Sequence, residues 1–245
     1  LRLEIREILL DNYKVKGSSL QIDGKKIILN LSIAVPTKKI ELDKKVTVGV
    51  DLGLAIPAVC ALNTNDYIRK SIGSADDFLR QRTKIQKQKK AIQKNLVQVK
   101  GGHGRKKKLN HLEKVRKNEE HWVRTYNHFV SKQVVDFAIK NKAKYINVED
   151  LTGFDNSKFI LRNWSYYQLQ EFITYKANNV GIQVRKINPY HTSQTCSCCG
   201  HWEEGQRISQ SKFICKNSNC KNYGKEINAD FNAARNIAQC SDFIK

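Results

Sequence analysis

Asp51, Glu149 and Asp230 each stand where a run of regular structure begins or ends. Asp51 closes Val46-Thr47-Val48-Gly49-Val50, a β-branched run suited to a strand buried on both faces. Glu149 closes a second such run, Ala143–Val148, and Asp230 opens a helical stretch over Ala229–Ala238. Three carboxylates gathered at one rim would suit Mg²⁺ or Mn²⁺, which prefer hard oxygen donors; Mg²⁺ also keeps several of its waters. Two such ions can stabilise both the attacking and the leaving oxygen of a phosphodiester displacement. Each acid also has an ordinary structural use. An Asp after a strand is a common turn residue or helix cap, Asp150 competes with Glu149, and negative charge at Asp230 favours a helix N-terminus by itself. Taken together, with Gly49 and Gly53 flanking the first, the three point to a metal site at Asp51, Glu149 and Asp230.

A second constellation is made of cysteines. Cys196-Ser-Cys198-Cys199-Gly200 is followed by Cys215-Lys-Asn-Ser-Asn-Cys220. Two tight knuckles, each aiming two thiolates at one tetrahedral ion, make a structural zinc site, assigned here to Cys196, Cys199, Cys215 and Cys220. The second knuckle is wider than the usual two-residue spacing. Cys198 could replace either neighbour, and His201 lies close enough to compete. Only Cys60 and Cys240 of the seven cysteines lie apart, so the pattern reads as a metal site in an intracellular protein rather than a disulfide framework.

The elements that must position these groups follow from periodicity. Leu3–Ile8 and Lys26–Ile33 alternate apolar and polar residues and are expected to be antiparallel strands, punctuated by Gly17, Gly24 and Pro36. After the strand ending at Asp51, Ala55–Leu62 and Asp66–Lys70 complete a meander. Residues 79–124 carry sixteen Lys or Arg against three acids, with Leu79, Ile85, Ile92 and Leu96 at roughly helical spacing. A long basic helix is expected there, broken at Gly101-Gly102-His103-Gly104, with a second helix from about Arg105 to Lys140. A helix over Tyr166–Asn179 and a strand over Ile182–Ile187 follow. This order of strands and helices matches an RNase H-like layout: a mixed sheet flanked by helices, with an inserted zinc ribbon and the closing helix packed across the same sheet.

Three segments carry a family resemblance. Val48-Gly49-Val50-Asp51-Leu52-Gly53, Val148-Glu149-Asp150-Leu151, and Asn228-Ala229-Asp230-Phe231-Asn232-Ala233-Ala234-Arg235-Asn236-Ile237 resemble the RuvC motifs of the transposon-encoded TnpB (OrfB) proteins. Thr192-Ser193-Gln194-Thr195-Cys196 resembles that family's zinc-ribbon entrance. Arg162-Asn163-Trp164-Ser165-Tyr166 and Asn222-Tyr223-Gly224-Lys225-Glu226-Ile227 resemble the miniature members near the compact type V CRISPR effectors. The resemblance implies RNA-guided, Mg²⁺-dependent DNA cleavage in a prokaryotic cytoplasm, with guide RNA and DNA as partners and a homodimer as in some miniature relatives. It also implies that Asp51 bridges two ions while Glu149 and Asp230 each complete one. The implied domains are the last strands of a wedge-like β-barrel (1–45), a nuclease core (46–190), a zinc ribbon (191–227) and a closing helix (228–245). A chain that opens on Leu and contains no Met is expected to be part of a longer protein.

A formal charge of +21, from 44 Lys and Arg against 23 Asp and Glu, favours a polyanionic partner, because neutralised phosphates release condensed counterions. No stretch approaches the roughly 18 apolar residues of a spanning helix, so no membrane partner is expected. Arg80, Arg82, Lys84, Lys87 and Lys90 crowd one helix, and Arg105, Lys106, Lys107 and Lys108 form a second cluster. These are candidate phosphate contacts, positional rather than sequence-specific. Trp122, Trp164, Tyr166 and Tyr167 could stack on unpaired bases, although core packing is the commoner use of such residues. Two rival readings remain: a guided DNA-binding repressor that does not cut, and a zinc-ribbon binder in which the basic helices do all the work. Neither uses all three carboxylates.

Overall fold

A computed structural model describes residues 2–34, 40–53, 56–150 and 166–244. Within it the chain forms two compact units, Leu1–Lys39 and Ile40–Lys245.

The first unit holds a helix, α1 (Arg2–Leu9), and a hairpin of β1 (Lys14–Asp23) and β2 (Lys26–Ala34). The strand expected over Leu3–Ile8 is therefore helical. Ile5, Ile8 and Leu9 lie three and four residues apart, and Leu, Arg and Glu are good helix formers, so the local alternation loses to the longer period. Asp11, at positive φ, ends that turn. In the hairpin, Gly24 takes φ +60° in the turn that lets Asp23 pair with Lys26. Gly17 falls at a register shift between Val15 and Ser18, a bulge inside β1 rather than its end. Pro36 lies outside the described residues.

The second unit is built on a five-stranded mixed sheet in the order β5-β4-β3-β6-β7. Its strands are β3 (Asp43–Asp51), β4 (Ala58–Leu62), β5 (Arg69–Ile72), β6 (Ala143–Glu149) and β7 (Gln183–Ile187). The first three form an antiparallel meander, and β6 and β7 add parallel to β3 on its other side. β3 is thus central, with β6 beside it. Strand alternation divides the core between two faces. Val48, Val50, Ile146 and Val148 pack against Val130, Val134 and Ala138 of α3 (Gly102–Lys140) and against Leu169 and Ile173 of α4 (Tyr166–Asn178). The opposite face meets α5 (Ala229–Gln239). There a Cβ on Gly49 would come within 2.0 Å of the Ala234 carbonyl oxygen, so only glycine lets α5 lie this close to β3. Asn147, opposite Gly49 in the register, fastens the same helix by donating to the Ile237 carbonyl at 2.9 Å.

The basic segment forms α2 (Ala75–Val97) and then α3, packed together. Ser74 caps α2. The break falls at Gln98–Gly101, so the helix resumes at Gly102 and includes His103 and Gly104. Arg105 holds the connection, donating to the carbonyls of Leu96 (3.2 Å) and Val99 (2.8 Å). Trp122 sits between Phe78 and Tyr126, with ring centroids 4.8 and 5.6 Å away. Packing, not base stacking, absorbs it. Among the described residues no helix is long and apolar enough to cross a membrane.

Candidate active site and metal centre

The ends of β3 and β6 and the first turn of α5 bring Asp51, Glu149 and Asp230 together. Both strands run parallel, so their C-terminal carboxylates share one edge of the sheet. Asn228 caps α5, accepting from the Phe231 amide at 2.8 Å, and this fixes Asp230 one residue inside the helix. Burial pushes the Asp51 carboxyl up to about 8, and the negative charges of Glu149 and Asp230 push the same way. Glu149 and Asp230 are themselves raised, again chiefly by burial. Such a trio resists ionisation until a cation neutralises it, and its oxygen-only donor set suits a hard divalent ion. The neighbouring acid, Asp150, pairs with Lys186 at 3.5 Å.

Several partners of these acids carried no signal in spacing. Arg207, between the two cysteine knuckles, reaches Asp230 at 3.5 Å. Its charge lowers the carboxyl pKa of all three acids, opposing the rise. The Thr192 hydroxyl donates to the Glu149 carboxylate. Gln170 of α4 donates to the Glu149 carbonyl at 2.8 Å, which ties the strand end in place. Burial, and after it the nearby Asp51 charge, raises the hydroxyl pKa of Tyr166. Only a fold that closes residues 166–230 over the strand ends makes these neighbours.

The cysteine cluster follows a different logic. The ligand atoms of Cys196, Cys199, Cys215 and Cys220 all lie within 4.8 Å of one another. The Cys196–Cys220 and Cys199–Cys215 sulfurs stand 3.9 and 3.7 Å apart. A tetrahedron with Zn–S bonds of about 2.3 Å has edges of about 3.8 Å, so these four thiols could hold zinc. Cys198 is outside the set, and His201 turns its ring to Glu203 at 3.3 Å. The wide second knuckle closes because the Cys220 amide donates to the Asn217 carbonyl, and that of Gly224 to the Cys215 carbonyl, each at 3.0 Å. Phe213, on the small hairpin of β8 (Lys212–Ile214) and β9 (Glu226–Asn228), fills the space under the sulfurs.

Two sets of contacts join this cluster to the acids. Asn232 and Asn236 on α5 donate to the Thr195 carbonyl, each at 2.7 Å, and Asn236 also to that of Thr192 at 2.7 Å. Asp66, in the β4–β5 turn, receives Arg235 at 2.6 Å and Lys221, next to Cys220, at 2.7 Å. The cysteine segment is thereby gripped from α5 and from the sheet.

The basic residues divide. Arg82 is partly buried between α2 and α3, 3.6 Å from Glu119, which also receives Lys89. Arg105 and Lys108 are spent on the helix connection, Lys108 donating to the Asn95 carbonyl at 3.1 Å. Arg80 pairs with Asp77 at 3.2 Å on the surface. Lys84, Lys87, Lys90, Lys106 and Lys107 project into solvent. Tyr167 is exposed, and Trp164, with the rest of Arg162–Ser165, lies outside the described residues.

The Cas12f1-like TNB domain family matches residues 166–237. The CRISPR-associated endodeoxyribonuclease Cas12f1 of Sulfoacidibacillus thermotolerans is 38% identical over 235 residues, covering 94% of this chain and 54% of its own length. A TnpB-like protein of Methanocaldococcus jannaschii is 31% identical over 142 residues, 54% of this chain and 49% of that protein. A cryo-EM structure of a Cas12f1–sgRNA–target DNA complex superposes over the whole chain with a TM-score of 0.79 at 29% identity, and the match covers 49% of that chain. The chain belongs to the family of compact type V effectors and TnpB-like proteins. It spans about half the length of these curated relatives and of two further Cas12f1 proteins that it matches. The family match begins at Tyr166 and so takes in Asp230, Arg207 and all four clustered cysteines, whereas Asp51 and Glu149 lie before it.

Proposed function

We propose that this chain is the nuclease half of an RNA-guided DNA endonuclease, with an RNase H-like (RuvC) core over 46–190, a zinc ribbon over 191–227 and a closing helix from 228. Residues 1–45 are read as the last strands of a wedge-like barrel. The observation that carries the proposal is the convergence of three carboxylates from three separate elements, with Asp51 held up to about 8 beside the other two. The names of its relatives, an endodeoxyribonuclease and a guide-RNA and target-DNA complex, supply the substrate class.

Asp51, Glu149 and Asp230 would hold the divalent ions, two Mg²⁺ or Mn²⁺. When bound, these ions supply Lewis-acid activation of water and neutralise charge on the phosphate. The protein's own contribution is orientation. Thr192 fixes the Glu149 carboxylate, the Asn228 cap fixes Asp230, and the Gly49 contact fixes α5 against β3. Arg207 adds a positive charge beside the acids, where it can meet a phosphate oxygen in the planar, bidentate manner of guanidinium groups. The zinc ribbon carries Arg207 and Thr192, so structural zinc at the four cysteines orders the site without entering its chemistry. Lys84, Lys87, Lys90, Lys106 and Lys107 would contact the sugar–phosphate backbone of guide RNA or DNA. The setting is the prokaryotic cytoplasm, and a homodimer, as in miniature relatives, fits the family.

Replacing Asp51 with Ala in the guide-loaded protein is expected to abolish Mg²⁺-dependent DNA cleavage while leaving guide and DNA binding in place. Cleavage at the unmodified rate by that variant ends this reading.

A further inference from the structure

The cysteine-rich segment holds five thiols where a tetrahedral ion takes four. Cys196, Cys199, Cys215 and Cys220 make the cluster whose ligand atoms lie within 4.8 Å of one another. Cys198 is left over. Its side chain packs against the buried group that includes Cys196, Phe213, Cys215 and Cys220, and its thiol hydrogen-bonds Cys220. The knuckle that carries it is fixed at both ends: the Gly200 amide donates to the Cys196 carbonyl at 2.8 Å, and the Ser197 amide to Asn232 Oδ1 at 2.9 Å. On the facing knuckle the Asn222 amide donates to Cys220 Sγ at 3.4 Å. The two sulfurs therefore meet on backbone that is held in place on both sides.

A cysteine kept only for packing is among the most buried of residues. Cys198 is partly exposed, whereas Cys196, Cys215 and Cys220 are buried. Cys199 is exposed as well, but as a zinc ligand its sulfur lone pair is committed to the ion. Cys198 is thus the thiol of this segment that solvent reaches and no ion occupies. A dissolved oxidant meets it first, and a second sulfur, Cys220, stands beside it to complete a disulfide. An accessible thiol next to a resolving cysteine is a common arrangement at oxidation-sensing sites.

We propose that Cys198 is an oxidation site that unloads the zinc through a Cys198–Cys220 disulfide, with a hydroperoxide as the oxidant. This rests on the reading of the four other cysteines as zinc ligands. In the first step the Cys198 sulfur attacks one oxygen of hydrogen peroxide: an S–O bond forms, the O–O bond breaks, and the hydroxide released takes the thiol proton to become water. In the second, the Cys220 thiolate leaves the ion and attacks the Cys198 sulfur. An S–S bond forms, the S–O bond breaks, and hydroxide departs, taking a proton from solvent. The two sulfurs lose two electrons in all and the peroxide gains two. Three thiolates remain at the ion, too few to close a structural site. Thr192 and Arg207, which reach Glu149 and Asp230, flank Cys198 in the chain, so oxidation also loosens the carboxylate site. Reduction by a thiol and resupply of zinc reverse both effects.

The test treats the intact, zinc-loaded chain with hydrogen peroxide beside a colorimetric zinc chelator, and maps disulfides by mass spectrometry of unreduced peptides. Zinc release is expected to accompany a Cys198–Cys220 linkage, and both should reverse with dithiothreitol and added zinc. Cys198→Ser should hold one zinc per chain before treatment and then release it about tenfold more slowly, because the sulfur that accepts the first oxygen is gone. Cys198→Ala is carried alongside, so that a serine poorly tolerated in the knuckle does not decide the result. Equal release rates in the unmodified chain and both variants overturn the proposal, as does a Cys199–Cys215 linkage in place of the expected one. Loss of zinc from both variants before any peroxide makes Cys198 a ligand and likewise overturns it. An unmodified chain that binds no zinc yet forms the Cys198–Cys220 disulfide removes the zinc reading and leaves the oxidation site. One zinc per chain with no such disulfide under peroxide does the reverse.

Discussion

The four thiols and the three carboxylates are both groups of like side chains that the fold brings near one another, but by different routes. The thiols come from two knuckles between Cys196 and Cys220, and local turns at Asn217 and Gly224 do most of the gathering. The carboxylates come from β3, β6 and α5, and nothing local relates them. Their energetics differ in the same way. The thiols stand in two pairs at 3.7 and 3.9 Å, around a packed Phe213. Burial first, and then the charges of Glu149 and Asp230, push the Asp51 carboxyl up to about 8. One site is a fastening that stabilises the fold when loaded. The other is held against its own electrostatics by the fold around it, a common property of catalytic groups.

The largest expected effect comes from breaking the fastening. Binding of a structural zinc is on the order of 10 kcal/mol or more of apparent free energy, so Cys215→Ser should empty the site and unfold the ribbon. Zinc stoichiometry should fall well below one per chain, and residues 196–228 should become sensitive to protease. DNA cleavage should fall with them, because Thr192 and Arg207 reach the acids from this segment. A variant retaining full zinc and full protection would remove Cys215 from the ligand set. Next comes Arg207→Ala, expected to cost roughly a hundredfold in cleavage rate with zinc content unchanged, by analogy with loss of a charged group that stabilises transition-state charge. Arg207→Lys should recover only part of the rate, since an ammonium lacks the planar fork. Cleavage at full rate in the alanine variant would reduce Arg207 to a structural partner of Asp230.

The contrast between the sites also governs what could be read from the sequence. The cysteine assignment follows from spacing, because a knuckle is a local object. The place of Cys198 does not: its thiol lies beside the four-thiol cluster and hydrogen-bonds Cys220. The strand ends at Asp51 and Glu149 were legible from β-branched runs, and Gly49 was visible as a feature whose reason, the 2.0 Å approach of α5, appears only in three dimensions. Arg207 and Thr192 had no pattern to announce them. The acids they serve are distant in sequence, and a lone Arg between cysteines looks like any surface charge. The helix α1 differs from the expected strand for the opposite reason: Leu3 and Ile5 alternate with period 2, whereas Ile5, Ile8 and Leu9 follow the helical spacing, and over so few residues the two patterns overlap.

Electrostatic opposition among the acids is itself measurable. Asp51 has its folded pKa raised from 3.8 to about 8, so ionising it costs the folded state more than the unfolded chain. Below about pH 4 the group is neutral in both states and the cost vanishes; it grows as pH rises towards 8. Asp51→Asn should therefore stabilise the metal-free protein by on the order of 1–2 kcal/mol at pH 7, read as a higher Tm. The gain should shrink on acidification and reverse when Mg²⁺ is added, because only the unmodified protein gains from the ion. A Tm difference independent of both pH and Mg²⁺ would mean that Asp51 is not held up by its burial and its acidic neighbours.

The basic helices extend the comparison to a surface where local sequence is least informative, since buried and free cations look the same along the chain. Arg82 lies against Glu119 between the helices, and Lys84, Lys87 and Lys90 face solvent two to eight positions further on. Changing those three lysines to Gln should leave thermal stability within about 0.5 kcal/mol, as surface changes usually do. It should reduce the steepness of the salt dependence of nucleic-acid binding by up to about 2–3 in log–log slope, near one condensed counterion per lost contact. Arg82→Gln should behave in the opposite way. It strands Glu119 in a largely buried position with only Lys89 beside it, so stability falls by about 1–3 kcal/mol while the salt slope barely moves. Equal effects of the two changes on the salt slope would place Arg82 at the nucleic acid after all. The separation expected here arises because a phosphate can neutralise only a charge that the fold has not already used.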